Sequence, residues 1–232
     1  MQLRADRVSL DGPHGTLLPS TSLAVADGEL ALVHGEPGTG VTALGLALAG
    51  RLRPTTGTVT VDEVADAAKL RSLVAVVDAP GVSEPDEALS LSVVVGEELA
   101  LAGQPAAAAD VRRWLTAHDL APYAGTRFER IEPALRIRLL TELAATRAGV
   151  AALVLDRPDR HTSEVEDWAM VAHEHAERGL AVLVLTATAA VTALPAPPAR
   201  IGQHDQPAPQ RCRTETAETA EAGAAGDEGE TP

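Results

Sequence analysis

The sequence predicts an α/β fold with a mostly parallel sheet, an N-terminal antiparallel β region and a helical lobe. An apolar run at residues 30–34 leads into a glycine-rich loop, and a helix-forming run follows at residues 43–50. Two further apolar runs, at residues 151–155 and 180–185, are typical of strands buried in a parallel sheet. Between residues 93 and 147, apolar residues recur at helical spacing. Alternation of such strands and helices indicates an α/β core.

Short strands separated by turns fill the N-terminal region. Residues 2–10 alternate weakly between apolar and polar side chains, and the segment 11–15 carries the Asp, Gly and Pro residues of a turn. Residues 22–25 and 58–61 are also predicted strands, each next to a turn that contains glycine. These strands flank the buried strand 30–34 and predict the antiparallel region.

The remaining chain alternates between buried strands and helices. A strand is predicted at residues 73–77, and we expect it to lie in one sheet with strands 30–33, 151–155 and 181–185. The region of about residues 90–135 is predicted to form the helical lobe. Helices are predicted at residues 93–102, 106–118, 133–147 and 163–177.

The acidic balance of the chain limits its partners. The 232 residues include 33 acidic and 19 basic side chains, which gives a formal net charge of −14. We therefore predict no nucleic-acid partner, because neutralising phosphates requires a basic surface. No apolar run is long enough to span a bilayer, and the N-terminus lacks the apolar region of a signal peptide. These features predict a cytoplasmic protein.

The composition changes near residue 203. Residues 1–203 are predicted to form one folded domain. Residues 204–232 are rich in Ala, Glu and Thr, which predicts a disordered acidic tail. The single cysteine, Cys212, lies in that segment and excludes an intramolecular disulfide.

A candidate phosphate-binding loop joins the first buried strand to its helix. In such loops the backbone N–H groups surround an anion, and glycines let the backbone approach it closely. The pattern G-x-x-x-x-G-K-[ST] matches at Gly35, Gly40 and Thr42, but Val41 replaces the lysine, and Lys69 is the only lysine of the chain. A glycine-rich turn without a ligand remains the alternative. The candidate binding residues are Gly35, Glu36, Pro37, Gly38, Thr39, Gly40, Val41 and Thr42.

Segments on both sides of this loop resemble the nucleotide-binding domain of ATP-binding-cassette (ABC) transporters. The resemblance extends from Leu3 to about Leu194 and is most specific between Leu48 and Val59, Leu-Ala-Gly-Arg-Leu-Arg-Pro-Thr-Thr-Gly-Thr-Val. It implies a P-loop NTPase core over residues 1–203 and ATP with Mg²⁺ as the cofactor, bound weakly or not at all. It also implies a membrane-spanning transporter subunit as partner, and a dimer with itself or with an active cassette subunit. The implied location is cytoplasmic, peripheral at the inner face of the cell membrane.

The resemblance also assigns positions to the catalytic motifs. In the family, an aspartate at the end of a buried strand holds Mg²⁺ together with the loop's Ser or Thr, and these positions are Asp156 and Thr42. The glutamate that polarises water is replaced by Arg157, and a guanidinium cannot act as a base at neutral pH. Ala79 takes the glutamine position and Ala187 the switch-histidine position. The signature motif, which binds the γ-phosphate of the partner subunit's nucleotide, falls on Ile131, Glu132, Pro133, Ala134 and Leu135.

Losses in five separate segments indicate a degenerate member of the family. The aromatic residue that stacks on adenine falls near residues 12–14, where only His14 offers a ring. Three functions remain open: a transporter subunit that binds nucleotide weakly or not at all, an active ATPase completed by a partner subunit, and a soluble scaffold or regulator. The length of the resemblance favours the first. For Arg157 itself, a phosphate contact and an ion pair with Asp159 or Glu164 are both open.

Other histidines and the two tryptophans have structural interpretations. His161, His173 and His175 lie near the second motif but do not predict a metal site. The last two face different directions on their predicted helix, which favours surface positions. Trp114 and Trp168 occur at helical apolar spacing and are predicted core residues.

Overall fold

The computed structural model describes residues 1–13 and 15–212. Two sheets and six α-helices make up this part of the chain. The strands are β1 (Gln2–Gly12), β2 (Gly15–Ala26), β3 (Glu29–His34), β4 (Thr56–Val61), β5 (Val74–Val77), β6 (Ala152–Asp156), β7 (Ala181–Thr186), β8 (Ala199–Arg200) and β9 (Gln210–Arg211). The helices are α1 (Val41–Leu48), α2 (Ala67–Leu73), α3 (Leu91–Leu101), α4 (Ala108–Ala117), α5 (Pro133–Ala145) and α6 (Val165–Glu177).

The N-terminal sheet has the strand order β2-β1-β4, and both pairings are antiparallel. Its central strand β1 buries Leu3, Ala5, Val8 and Leu10 on one face. The alternation is shifted by one position after Ala5, where the pairing register with β2 also shifts. This sheet is the antiparallel region that the sequence predicted, and it reaches the core through that apolar face.

The larger sheet has the order β5-β6-β7-β3-β8, and these strands run parallel. Four of them are the apolar runs that the sequence placed in one sheet, so that prediction is confirmed. The short strand β9 joins the sheet antiparallel to β3. Because the strands are parallel, the carboxyl ends of β3, β6 and β7 meet at one edge, where ligands bind in open α/β sheets.

Helices and the N-terminal sheet cover the two faces of this sheet. Alternate residues of β3 and β6 enter different cores: Val33 and Val154 pack with α1 and the N-terminal sheet. Leu32 and Leu155 instead pack with α3 to α6. Burial on both faces explains why these strands are continuous apolar runs in the sequence.

The region predicted as a helical lobe contains α3 and α4, which pack against each other, and α3 also packs on α5. Helix α2 was not predicted. The sequence predicted a strand from Leu73 onward, and Leu73 is the last residue of this helix. Asp66 caps α2 by accepting hydrogen bonds from the N–H groups of Ala68 and Lys69, at 2.8 Å and 3.2 Å. Side-chain capping of this kind stabilises a helix of only seven residues.

Residues 204–212 pack against the domain, although the sequence analysis assigned them to the acidic tail. The N–H group of Cys212 donates to the carbonyl of Gly28 at 2.8 Å, and β9 pairs with Glu29 and Leu30. The rest of the predicted tail, residues 213–232, lies outside the described residues. Among the helices of residues 1–13 and 15–212, none has the length and apolarity needed to cross a bilayer.

Candidate functional site

The glycine-rich loop connects β3 to α1 at the carboxyl edge of the larger sheet. Gly40 has a φ of 83°, and a Cβ there would collide with the carbonyl of Leu17. A Cβ on Gly35 would lie 2.6 Å from Ile201 Cγ1 and 2.6 Å from Thr39 Oγ1. Both positions therefore require glycine, for steric reasons and, at Gly40, for the left-handed backbone as well.

The loop leaves the first amides of α1 pointing out of the helix end. The first intrahelical bond runs from the N–H of Leu44 to the carbonyl of Gly40, at 2.9 Å. The N–H groups of Val41, Thr42 and Ala43 precede that bond, and such first-turn groups have no intrahelical acceptor. Together with the helix dipole, they make this end of α1 favourable for an anion.

Thr42 and Asp156 meet directly below the loop. The Thr42 hydroxyl donates to both carboxylate oxygens of Asp156, at 3.0 Å and 2.9 Å. Asp156 ends β6 and is only 2% exposed. Burial raises the pKa of the Asp156 carboxyl, although the bond from Thr42 and the charge of Arg157 act in the opposite direction. The sequence predicted that these two residues would be neighbours.

Arg157 occupies the next position, with a left-handed backbone at a φ of 50°. Its N–H donates to the carbonyl of Leu185 at 2.9 Å, which holds the residue at the sheet edge. The side-chain Nε lies 3.6 Å from Asp156 Oδ2, and the side chain is 31% exposed. The ion pair is thus with Asp156, in place of the Asp159 or Glu164 partner considered from the sequence.

A cavity of about 350 Å³ lies beside the loop. Its volume is within the range of small-molecule sites in proteins. The lining combines the loop, Thr42 and Arg157 with apolar side chains from three other segments. The lining residues are Leu17, Pro37, Gly38, Gly40, Val41, Thr42, Ala43, Leu46, Leu52, Arg157 and Ala187.

Val41, at the lysine position, is 4% exposed and packs in the core that includes α1. Its side chain therefore supports the loop from within as well as bordering the cavity. His14, the candidate ring for adenine, lies outside the described residues.

The glutamine and switch-histidine positions carry buried alanines. Ala79 is fully buried, and its N–H lies 3.0 Å from the Ser83 hydroxyl, which accepts its hydrogen bond. Ala187 borders the cavity but its methyl group offers no polar atom. Neither side chain can donate, accept or transfer a proton, so both positions lack the chemistry that the resemblance assigns to them.

Asp159 was missed as a site residue by the sequence analysis. Its Oδ2 accepts hydrogen bonds from the N–H groups of Ala187, Thr188 and Ala189, at 2.8, 2.6 and 2.8 Å. The Thr188 hydroxyl adds a fourth bond at 2.9 Å. One carboxylate thus fixes the loop after β7, where the switch histidine was expected. The bonded residues are 28–30 positions apart, so no local pattern signals them.

The signature position begins α5. Ile131 is buried, and Glu132 is the exposed residue that precedes the helix. Pro133 is the first helical residue, a position that suits its fixed φ and missing N–H group. Ala134 and Leu135 follow as partly buried residues of the first turn. This segment is therefore an ordinary helix start with an acidic residue at its entry.

A buried charge network, also missed from the sequence, connects α5 to the sheet edge. Arg136 donates to both oxygens of Asp78, at 3.0 Å and 2.9 Å. Asp78 also contacts Arg160 at 3.0 Å and His161 at 2.9 Å. Glu84 pairs with Arg160 at 2.7 Å. Burial disfavours the charged Asp78, yet the hydrogen bonds from His161 and Arg136 together hold its pKa below the ordinary value.

The remaining histidines and tryptophans fit partly with expectation. His173 pairs with Glu177 at the surface, whereas His175 is buried, so the surface prediction was wrong for His175. His175 Nδ1 lies 2.8 Å from the carbonyl of Val171. Trp168 is fully buried in the core, as predicted. Within the described ranges, no cluster of His, Cys, Asp and Glu could hold a metal ion.

The other tryptophan is only partly buried. Trp114 stacks on His118 with ring centroids 3.8 Å apart. It packs against the core that contains α3 to α6, so its apolar contacts agree with the prediction of a core residue.

Comparisons with known proteins give a match in fold only. No protein-family model and no curated protein matches the chain. The ATP-binding subunit of an ABC transporter matches with a TM-score of 0.58 and 17% identity, over 81% of this chain and 80% of its own. A nucleotide-free ATP-binding cassette from an ABC transporter gives 0.58 and 15%, over 81% and 82%. A protein from Pyrococcus furiosus, described as an ABC transporter ATP-binding protein, gives 0.63 and 14%, over 88% and 97%.

The strand β3, a glycine-rich loop and the helix α1 face an aspartate that ends β6, two strands away from β3 in the sheet, and this is the arrangement of a P-loop α/β fold. The solved structures match this fold as that of an ABC nucleotide-binding domain. At 14–17% identity the similarity concerns the fold. What the site does has to follow from its own residues.

Proposed function

We propose that this chain is a nucleotide-binding subunit of an ABC-type transporter that hydrolyses little or no ATP by itself. The proposal is carried by one observation: Thr42 and Asp156 meet under a glycine-rich loop at the start of α1. This arrangement offers the backbone N–H groups of the loop and of the first turn of α1 to a phosphate. The fold supports it, because the matching solved structures are ATP-binding subunits or proteins of ABC transporters.

The site has the means to bind but not to hydrolyse. Hydrolysis requires a group that orients or deprotonates water, and that position holds Arg157, whose guanidinium stays protonated. Ala79 and Ala187 supply no polar side-chain atom. Bound nucleotide would therefore remain intact.

The transporter assignment includes a membrane-spanning subunit and a second cassette, either a copy of this chain or an active partner. In this assignment the membrane-spanning subunit holds the chain at the membrane. The proposed location is accordingly the cytoplasmic face of the cell membrane.

Nucleotide binding and phosphate release by the purified full-length chain test this function. We expect measurable ATP binding and phosphate release no faster than a buffer blank at saturating MgATP. Asp156→Asn is the control for hydrolysis that depends on the site. Steady release that Asp156→Asn abolishes would show an active ATPase instead.

The transporter role needs a separate test. The chain is co-expressed with a membrane-spanning product of a neighbouring gene, and the detergent extract is analysed for co-elution. Nucleotide binding without co-elution would contradict the transporter assignment and favour a soluble scaffold or regulator.

A further inference from the structure

The charges around Asp156 do not suit a magnesium ion. Mg²⁺ binds through oxygen ligands, commonly one or two carboxylates. Here both oxygens of the Asp156 carboxylate accept from the Thr42 hydroxyl. A guanidinium nitrogen of Arg157 lies 3.6 Å from the same carboxylate. A fixed positive charge at that distance repels a divalent cation and already balances the carboxylate, so the metal ligands expected from the sequence do not fit.

Arg157 is instead placed to contact an anion. Its side chain lines the cavity beside the loop together with Gly38, Gly40 and Thr42. It is the only charged residue among those that line this cavity. Nε is buried and has no hydrogen-bond partner in the described chain, and its one ion pair is with Asp156. The planar guanidinium carries further N–H donors, and these suit two-point contact with a phosphate.

The rest of the lining indicates what the anion is attached to. Leu17, Leu46 and Leu52 contribute apolar side chains to the same cavity. A site with loop amides and one guanidinium beside aliphatic side chains matches a molecule with a phosphate group and an apolar or ring-shaped part. A nucleotide has both parts.

From these contacts we propose that the cavity binds nucleotide as a metal-free anion, with Arg157 replacing the missing lysine as the phosphate's cation. The inference rests on the proposed nucleotide-binding function and adds to it the recognition chemistry of the site. Arg157 stands where the resemblance places the catalytic glutamate. The same residue that removes this carboxylate thus provides the positive charge on which binding depends. Binding should neither require nor be strengthened by Mg²⁺.

Isothermal titration of the full-length chain with ATP tests this, once with EDTA and once with excess Mg²⁺. Four variants are compared, and the fourth, Arg157→Glu, places a carboxylate at this position. Arg157→Asn removes the charge while tolerating the left-handed backbone, Arg157→Lys keeps the charge, and Arg200→Ala is the matched control. Arg200 borders a different cavity, together with His34 and Glu36. Thermal unfolding verifies that each variant is folded.

We expect wild type to bind ATP at least as tightly in EDTA as in Mg²⁺. Arg157→Asn should weaken binding by about 10- to 100-fold, the usual effect of losing a charge-assisted contact. Arg157→Lys should retain most of the affinity, and Arg200→Ala should bind like wild type. An Arg157→Glu variant should reverse the preference and bind ATP more tightly with Mg²⁺.

Two other outcomes separate this inference from the function on which it rests. Wild type that binds only with Mg²⁺, or Arg157→Asn that binds as tightly as wild type, would overturn the metal-free site and leave nucleotide binding intact. Wild type that binds ATP in neither buffer would overturn the proposed function and this inference together.

Discussion

Replacing Arg136 by methionine removes the centre of the buried network that connects α5 to the sheet edge. Arg136 is 4% exposed and donates to Asp78 through two hydrogen bonds. It also lies 3.2 Å from Glu87 and over the ring of Phe128, with Cζ 4.7 Å from the ring centroid. Methionine keeps an unbranched apolar stem like that of arginine but lacks the guanidinium group, so the change tests mainly the electrostatic contacts.

The magnitude follows from what the substitution leaves behind. Removing one partner of a buried ion pair typically costs about 3–5 kcal/mol. Asp78 keeps contacts with Arg160 and His161, which places the expected loss at the lower end, ~3 kcal/mol. In a chain of this size, each kcal/mol lowers Tm by about 2–4 °C, so Tm should fall by roughly 6–12 °C.

Thermal unfolding followed by circular dichroism measures this loss, with Arg138→Met as the matched control. Arg138 lies on the same helix, is 45% exposed and pairs with Glu174 at 2.8 Å. Exposed pairs contribute about 0.2–1 kcal/mol, so the control should lose at most ~4 °C. Equal losses in the two variants would refute the view that the buried network stabilises the domain more than a surface pair does.

The pH dependence gives a second check on the same variant. The pKa of Asp78 is lower in the folded chain than its ordinary value of 3.8. Such a carboxyl stabilises the fold above pH ~3.8, and that stabilisation is lost as the pH falls through the folded pKa. The difference in stability between wild type and Arg136→Met should therefore narrow as the pH drops below about 4. A difference that stays constant well below pH 4 would contradict the assignment to Asp78.

Three other changes have expected outcomes in the same unfolding assay. Asp159→Ala should destabilise the domain by ~2–3 kcal/mol, because three N–H groups and a hydroxyl lose their acceptor; an unchanged Tm would show that water replaces the carboxylate. Asp156→Asn should raise Tm at pH 7, because a carboxyl with a raised pKa contributes stability that is full below pH ~3.8 and is lost as the pH rises through the folded pKa. The gain should disappear in acid. Truncation after residue 203 should lower Tm relative to truncation after residue 212, because β9 and its contacts are lost.

The sheet was predictable because its strands are local apolar runs. β6 and β7 are buried on both faces, and each run shows this without reference to any partner. Helix α2 was not predictable in the same way, since it has seven residues and only Leu70 is buried. β9 consists of Gln210 and Arg211, whose exposed polar side chains carry no strand pattern. Its pairing depends on the position of β3 in the finished fold.

The same distinction applies to the site. The loop is a contiguous motif, so its glycines identify it from sequence, and the resemblance brought Asp156 to Thr42. Asp78 and Arg136 are 58 positions apart, and no spacing rule joins them. His175 is a different case, because Trp168 and Val171 precede it by seven and four residues on the buried face of α6. That helical pattern was present in the sequence and predicts burial.

The substitutions at two motif positions, Val41 for lysine and Arg157 for glutamate, can be explained together by their charges. A lysine in the loop and a glutamate after Asp156 would carry opposite charges, and a metal ion would compensate the remaining carboxylate and phosphates. In this chain the loop position is neutral and the position after Asp156 is cationic. Arg157 then compensates Asp156 and leaves donors for a phosphate, so no metal ion is needed for charge balance. Under the proposed function, nucleotide binding without hydrolysis would follow from these two changes of charge at the edge of the sheet.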